Sequence, residues 1–188
     1  MGTATTLERE VKLSFESAEA AREAVLAAGA TPLHGRRLQE DALLDSASDM
    51  LYARACALRI RMENGKSRIT FKGPVQASAM KLREEFETLV GDGVLLLRIL
   101  EELGFHVWFR YEKYREEFSH EDVTIAVDET PVGVFVEIEG TESGITAMAA
   151  AMGRGPSDYI LDSYRGIFLQ HRAALGLASA DMVFDPPE

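Results

Sequence analysis

Along several short segments of this chain every second residue is charged, and that pattern leaves few folds open. Glu8, Glu10 and Lys12 alternate with Val11, Leu13 and Phe15. In Ala57–Glu63, Arg59, Arg61 and Glu63 alternate with Leu58, Ile60 and Met62. In Ser67–Gly73, Arg68, Thr70 and Lys72 alternate with Ile69 and Phe71. A period of two is that of a β-strand, whose successive side chains point to opposite faces. Asn64-Gly65 between the last two segments is a hairpin turn signal. The bases Lys12, Arg59, Arg61, Lys72, Arg83, Lys113 and Arg115 fall on strand positions that can share one surface. So do the acids Glu8, Glu10, Glu85, Glu87, Asp128, Glu137 and Glu139. An open sheet facing water would mix Ser and Thr with its charges. A face so biased to charge predicts a sheet closed on itself, with the apolar face outward under helices and the charged face inward. Equal numbers of acids and bases keep the empty interior from repelling itself apart.

The remaining pattern supports an α+β chain of about eight antiparallel strands. Further strands are expected over Leu33–Leu44, Leu82–Thr88, His106–Phe118, Val123–Asp128 and Val134–Glu139. Helices are expected from a Ser17 cap to Ala28, from an Asp92 cap to Leu103, over Glu142–Met152 and over Asp158–Leu175. The length of 188 residues fits one domain, read as residues 1–180 with a loose tail at 181–188 marked by Pro186-Pro187.

A formal charge of −11 argues against a nucleic-acid surface but leaves room for a local basic pocket. The longest apolar run, Val94–Leu97, is too short to cross a bilayer, and no leader pattern opens the chain. A single cysteine, Cys56, excludes an internal disulfide and fits a reducing cytoplasm; a buried structural place is expected for it. His34, His106, His120 and His171 are scattered without metal-ligand spacing. Gly153-Arg-Gly155 lacks the ending of a P-loop and reads as a turn, Arg68 reads as a rim charge, and Trp108 and Tyr111 read as packing residues.

Chemically, the acids offer hard oxygen ligands suited to Mg²⁺ or Mn²⁺, and the bases suit phosphate oxygens. The ordered set Glu8-x-Glu10-x-Lys12, Ala57-Leu-Arg-Ile-Arg61, Thr70-Phe-Lys-Gly-Pro74, Arg83-x-Glu85-x-Glu87, Lys113-x-Arg115, Asp128 and Val136-Glu-Ile-Glu-Gly140 resembles the CYTH proteins, or triphosphate tunnel metalloenzymes. These include class IV adenylate cyclases and thiamine triphosphatases. The resemblance spans about Leu7 to Gly140, with Ser163-Tyr164 as a further match. It implies an eight-stranded antiparallel tunnel and a catalytic set of Glu8, Glu10 and Lys12. It implies metal binding by Glu8, Glu10, Glu137 and Glu139, and triphosphate binding by Lys12, Arg59, Arg61, Lys72, Arg83, Lys113 and Arg115. Glu85, Glu87 and Asp128 would orient bases or bind metal.

Asp45 stands near an acid of the family, but Leu43-Leu44 replaces the aromatic residue usual before it, which leaves its role open. The activity expected is metal-dependent hydrolysis of tripolyphosphate or a small organic triphosphate such as thiamine triphosphate, by a monomer or homodimer. The alternatives are a class IV adenylate cyclase and a non-catalytic triphosphate- or polyphosphate-binding module. No His-Phe-x-Gly stretch, as class IV cyclases usually carry, precedes Glu8, which favours hydrolysis. Arg61 is expected to serve the ligand and not the fold.

Overall fold

The computed structural model describes residues 6–176 and 179–185. Eight strands run in chain order: β1 (Thr6–Phe15), β2 (Thr31–Ser46), β3 (Ala57–Glu63), β4 (Lys66–Lys72), β5 (Lys81–Val90), β6 (Phe105–His120), β7 (Val123–Thr130) and β8 (Gly133–Gly140). Every neighbouring pair is antiparallel, and the sheet closes in the order β1-β5-β4-β3-β2-β6-β7-β8. Among the described residues the α-helices are α1 (Ala18–Ala27), α2 (Met50–Ala53), α3 (Gly93–Glu102), α4 (Glu142–Ala151) and α5 (Tyr164–Leu175). The inward-charged barrel expected from the alternation is thus the observed architecture.

Local chemistry accounts for the joints. The Ser17 side chain accepts the Ala20 amide at 3.1 Å, and the Asp92 carboxylate accepts the Leu95 amide at 2.9 Å, capping α1 and α3. Asn64 and Gly65 both have positive φ, 47° and 71°, as a two-residue hairpin turn of type I′ requires. Gly93 opens α3 directly against β4. A Cβ there would lie 2.5 Å from the Ser67 hydroxyl, so only glycine lets the helix settle on the sheet.

The apolar faces point outward into helix-covered clusters. Val11, Leu13, Val136 and Ile138 pack with Ala21 and Val25 of α1 and Ile145 and Met148 of α4. Ile60 and Leu44 pack with Leu97 of α3. Phe71, expected on the same outer side, stacks on Phe86 with 6.1 Å between ring centroids. At one end Phe109, Tyr111 and Phe135 meet Tyr164, Ile167 and Phe168 of α5 and the fully buried Met182.

Residues 181–185, expected as part of a loose tail, make specific contacts with β6. Met182 exchanges backbone hydrogen bonds with Arg110 and Glu112, Asp181 accepts the Arg110 amide, and the Phe184 ring lies 5.2 Å from that of Tyr114. Residues 186–188 lie outside the described part. α5 also starts later than expected, because Gly155 to Ser163 holds only a 3₁₀ turn, Pro156–Asp158, before the Ser163 cap. Among the described residues no helix is long and apolar enough to cross a membrane.

Candidate active site

The inward faces enclose a cavity of about 870 Å³. Its walls include Glu8, Glu10, Lys12, Arg59, Arg61, Lys72, Arg83, Lys113, Arg115, Glu137 and Glu139. All the expected phosphate-binding and catalytic positions therefore meet in one space, as do Glu85 and Glu87.

The deepest acid is Asp128, completely buried on β7. Its Oδ1 accepts Arg115 Nε at 2.7 Å. Its Oδ2 accepts Lys113 Nζ at 2.8 Å, Arg115 Nη2 at 2.6 Å and the Tyr164 hydroxyl at 2.5 Å. Asp128 thus accepts four protein donors, one on Oδ1 and three on Oδ2, and orients the bases around it. Burial alone would raise its pKa, but Arg115 and Lys113 hold it below the usual range. Tyr164 also presents its ring to Lys113 and Lys12, with the ammonium groups 4.7 and 5.2 Å from its centre.

β1 and β8 carry the acidic side. Cross-strand pairing sets Glu10 opposite Glu139 and Lys12 opposite Glu137. Lys12 Nζ lies 2.7 Å from Glu10 and 3.1 Å from Glu137, and Arg115 reaches Glu137 at 2.7 Å. Burial works against the charge on Glu10 and Glu137, yet these cations hold both carboxyl groups low. Glu139, by contrast, is in no ion pair among the described residues. Burial, then Glu137, Glu10 and Glu85, push it up to about 7. Glu8 is pushed up to about 9 by burial and by its hydrogen bond to Glu85, against the pull of Lys72, 3.3 Å away. Lys72 also bonds Glu85.

This donor set fits a hard divalent cation. It is all oxygen and it gathers like charge, and burial together with the neighbouring carboxylates raises Glu8 and Glu139. Glu8, Glu10, Glu137 and Glu139 are the residues that would hold it. As they stand, most face lysines or Arg115, and no group of three potential ligands is gathered among the described residues. Binding would therefore draw acids away from their present bases.

The opposite wall was less legible. Asp41 on β2, 3% exposed, accepts Arg61 Nε at 2.9 Å and Nη2 at 3.0 Å, and lies 3.4 Å from Arg59. Arg59 also donates to Thr70, which bonds Glu87. Lys81 Nζ sits 2.6 Å from the same Glu10 oxygen that Lys12 uses, and burial followed by Lys12 lowers it to about 8 despite that carboxylate. Lys113 is lowered to about 8 by burial and Arg115. Asp41 and Lys81 escaped the sequence reading. Lys81 continues the Arg83-x-Glu85 alternation by one step and was legible. Asp41 lies in a strand with register shifts at Pro32/His34, His34/Arg37 and Leu43/Leu44, which break any parity count.

Around the mouth, Tyr111 is buried in the α5 cluster and also lines the cavity, so it serves the site as well as the packing. Trp108 lines the cavity with Arg165 stacked 4.7 Å from its ring centre. Cys56 is not buried as expected; it is half-buried at the cavity wall. Arg68, 49% exposed, bonds Glu87 at the rim as expected. Arg154 lies over Phe15 and donates to the Ser14 carbonyl. Asp45 caps α2: its oxygens accept the Ser46, Leu51 and Tyr52 amides at 2.7 to 2.9 Å.

A protein of Methanocaldococcus jannaschii named "putative adenylate cyclase" is 37% identical over 90 residues, 47% of this chain and 51% of its own length. The chain thus spans about half the length of that curated relative. A Vibrio parahaemolyticus structure of the same name superposes with a TM-score of 0.76 at 19% identity, covering 88% of this chain and 99% of that one. A Hippeastrum protein described as a "putative adenylyl cyclase" with a dominant triphosphatase activity superposes at 0.64 with 18% identity, covering 87% and 95%. At such identities these two structures speak for the fold alone. The CYTH domain model matches residues 6–152, so the chain belongs to the CYTH domain family.

Proposed function

We propose that this protein hydrolyses a triphosphate with the help of a divalent cation, Mg²⁺ or Mn²⁺. The observation that carries the reading is the single cavity in which Lys12, Arg59, Arg61, Lys72, Lys113 and Arg115 converge opposite Glu8, Glu10, Glu137 and Glu139. An extended polyanion offers those bases more charge than the internal carboxylates they now hold, and bidentate arginine contacts suit phosphate oxygens. The acids released in the exchange suit a hard cation.

In the reaction, Lys12, Arg59 and Arg61 hold the phosphates, and the bases neutralise charge that develops on the transferred group and its leaving group. Asp128 and Asp41 keep Lys113, Arg115 and Arg61 aimed into the cavity before substrate arrives, so little reorganisation is needed. Glu8 or Glu10 positions the attacking water. A bound divalent cation supplies charge neutralisation on phosphate oxygens and a water of lowered pKa.

The name of the Methanocaldococcus relative favours a second reading, a cyclase in which the 3′-hydroxyl of ATP is the nucleophile. The Hippeastrum structure carries a dominant triphosphatase activity on the same fold, so the fold itself accommodates hydrolysis. A substrate panel of tripolyphosphate, thiamine triphosphate and ATP with Mg²⁺ and Mn²⁺ separates the two. Release of phosphate is expected. Efficient formation of cyclic AMP with little phosphate from tripolyphosphate would transfer the assignment to the cyclase.

A further inference from the structure

One wall of the cavity has no task in holding phosphates. It is built from the end of β2, from α2 and the loop after it, from the start of β6 and from the start of α5, and presents Leu43, Tyr52, Cys56, Trp108 and Arg165. It adjoins the phosphate-binding side chains directly, because Leu43 is the cross-strand partner of Arg59 and Ala57 that of Lys72. Tyr52 stays 67% exposed although it is a large aromatic residue beside a cavity.

It is held there deliberately. The Asp45 carboxylate takes the Leu51 and Tyr52 amides, and α2 is flanked by left-handed residues, Asp49 at φ 52° and Ala55 at φ 54°. Non-glycine residues adopt that conformation at a cost, and such strain gathers at ligand clamps. The planar guanidinium of Arg165 lies on Trp108, which adds a positive, stackable surface. None of the residues that these segments place on the wall is an acid, so a cationic ring there would meet Arg165 with no acid of the wall to offset it.

We propose that this wall, through Tyr52, Trp108 and Arg165, binds a flat, uncharged aromatic ring attached to the triphosphate, which makes a nucleoside triphosphate the preferred substrate class over tripolyphosphate and over triphosphates of cationic heterocycles. The proposal rests on the cavity being a triphosphate site. Asp45 is a positioning residue that acts through α2.

The test compares kcat/KM for ATP, GTP, thiamine triphosphate and tripolyphosphate in the wild type, in Tyr52→Ala and in Tyr52→Ala/Trp108→Ala. Tyr52 is exposed, so its replacement does not put folding in question. The ratio of ATP or GTP to tripolyphosphate should fall by about threefold or more in Tyr52→Ala and by about tenfold or more in the double variant, as loss of base–aromatic stacking implies. Asp45→Ala should lower the same ratio. Trp108 is the chain's single tryptophan, so fluorescence reports on it directly: an imido analogue of ATP should change the wild-type signal by stacking. A smaller fall in the ratio for both aromatic variants, or thiamine triphosphate as the best substrate, overturns the proposal while tripolyphosphate turnover stands. Absence of any turnover or binding of tripolyphosphate and of the organic triphosphates overturns the function reading itself.

Discussion

Arg61 carries two duties that the sequence presented as one. Its guanidinium faces the cavity, and it also balances Asp41, whose side chain is completely buried. Arg61→Ala should therefore weaken triphosphate binding and also destabilise the fold by about 3–5 kcal/mol, because an uncompensated buried carboxylate is left behind. Adding Asp41→Ala should recover part of that stability but none of the binding, as urea unfolding and calorimetric titration would register. The expectation that Arg61 serves the ligand alone gives way on this contact. On the acidic side, Glu10→Gln and Glu139→Gln should each raise the Mg²⁺ or Mn²⁺ concentration needed for half-maximal turnover; unchanged metal dependence in both would remove them from the cation site. Asp45 supplies the pH test. Burial would raise its pKa, but the Leu51, Tyr52 and Ser46 amides lower it overall. A carboxylate lowered by folding adds stability above its unfolded value of about 3.9, and that stability is lost as pH falls through the lower folded value. Asp45→Asn should flatten the loss of stability below about pH 4 in urea melts.

Among elements, the strands with unbroken alternation were the legible ones. β1, β3 and β4 showed their faces because a charged residue stood at nearly every inward position and an Asn-Gly turn fixed the hairpin between β3 and β4. β2 was found as a strand, yet its bulges concealed that Asp41 faces inward. α2 was missed because four residues carry no periodicity, and its end positions are set by the Asp45 carboxylate, a contact between residues whose sequence shows no cap pattern. The final segment looked loose because its two prolines outweighed Met182, whose burial depends on β6 and α5. The two faces of β3 allow a clean separation of packing from chemistry. Ile60, fully buried on the outer face under α3, should cost about 2–5 kcal/mol when changed to Ala. Triphosphate affinity should stay near the wild-type value, since the side chain points away from the cavity. A normal melting profile with lost binding would mean that the faces of β3 are reversed.

At the scale of the molecule, adding Lys81 to the inward bases and Asp41 to the inward acids keeps the interior balanced, so the excess charge of −11 resides chiefly on the outer surface. Mutual repulsion between copies follows from that surface, and closure gives each strand a neighbour on both sides over at least part of its length. Closure has a further consequence for how the chain reaches its native state. β1 pairs with β5 on one side and with β8 on the other, so residues near 10 must find partners near 138. Local hairpins such as β3–β4 and β7–β8 can form early, but the ring cannot shut until the last strand has arrived. Loop-closure entropy is spent before those distant contacts return it, which places refolding in the slow, millisecond-to-second class of β-rich topologies. Stopped-flow refolding should show early hairpin formation, followed by a slower phase in which β1 amides gain protection from hydrogen exchange together with those of β8. Until that step, the inward-facing lysines, arginines and glutamates stand in water, where their charge keeps the waiting chain soluble.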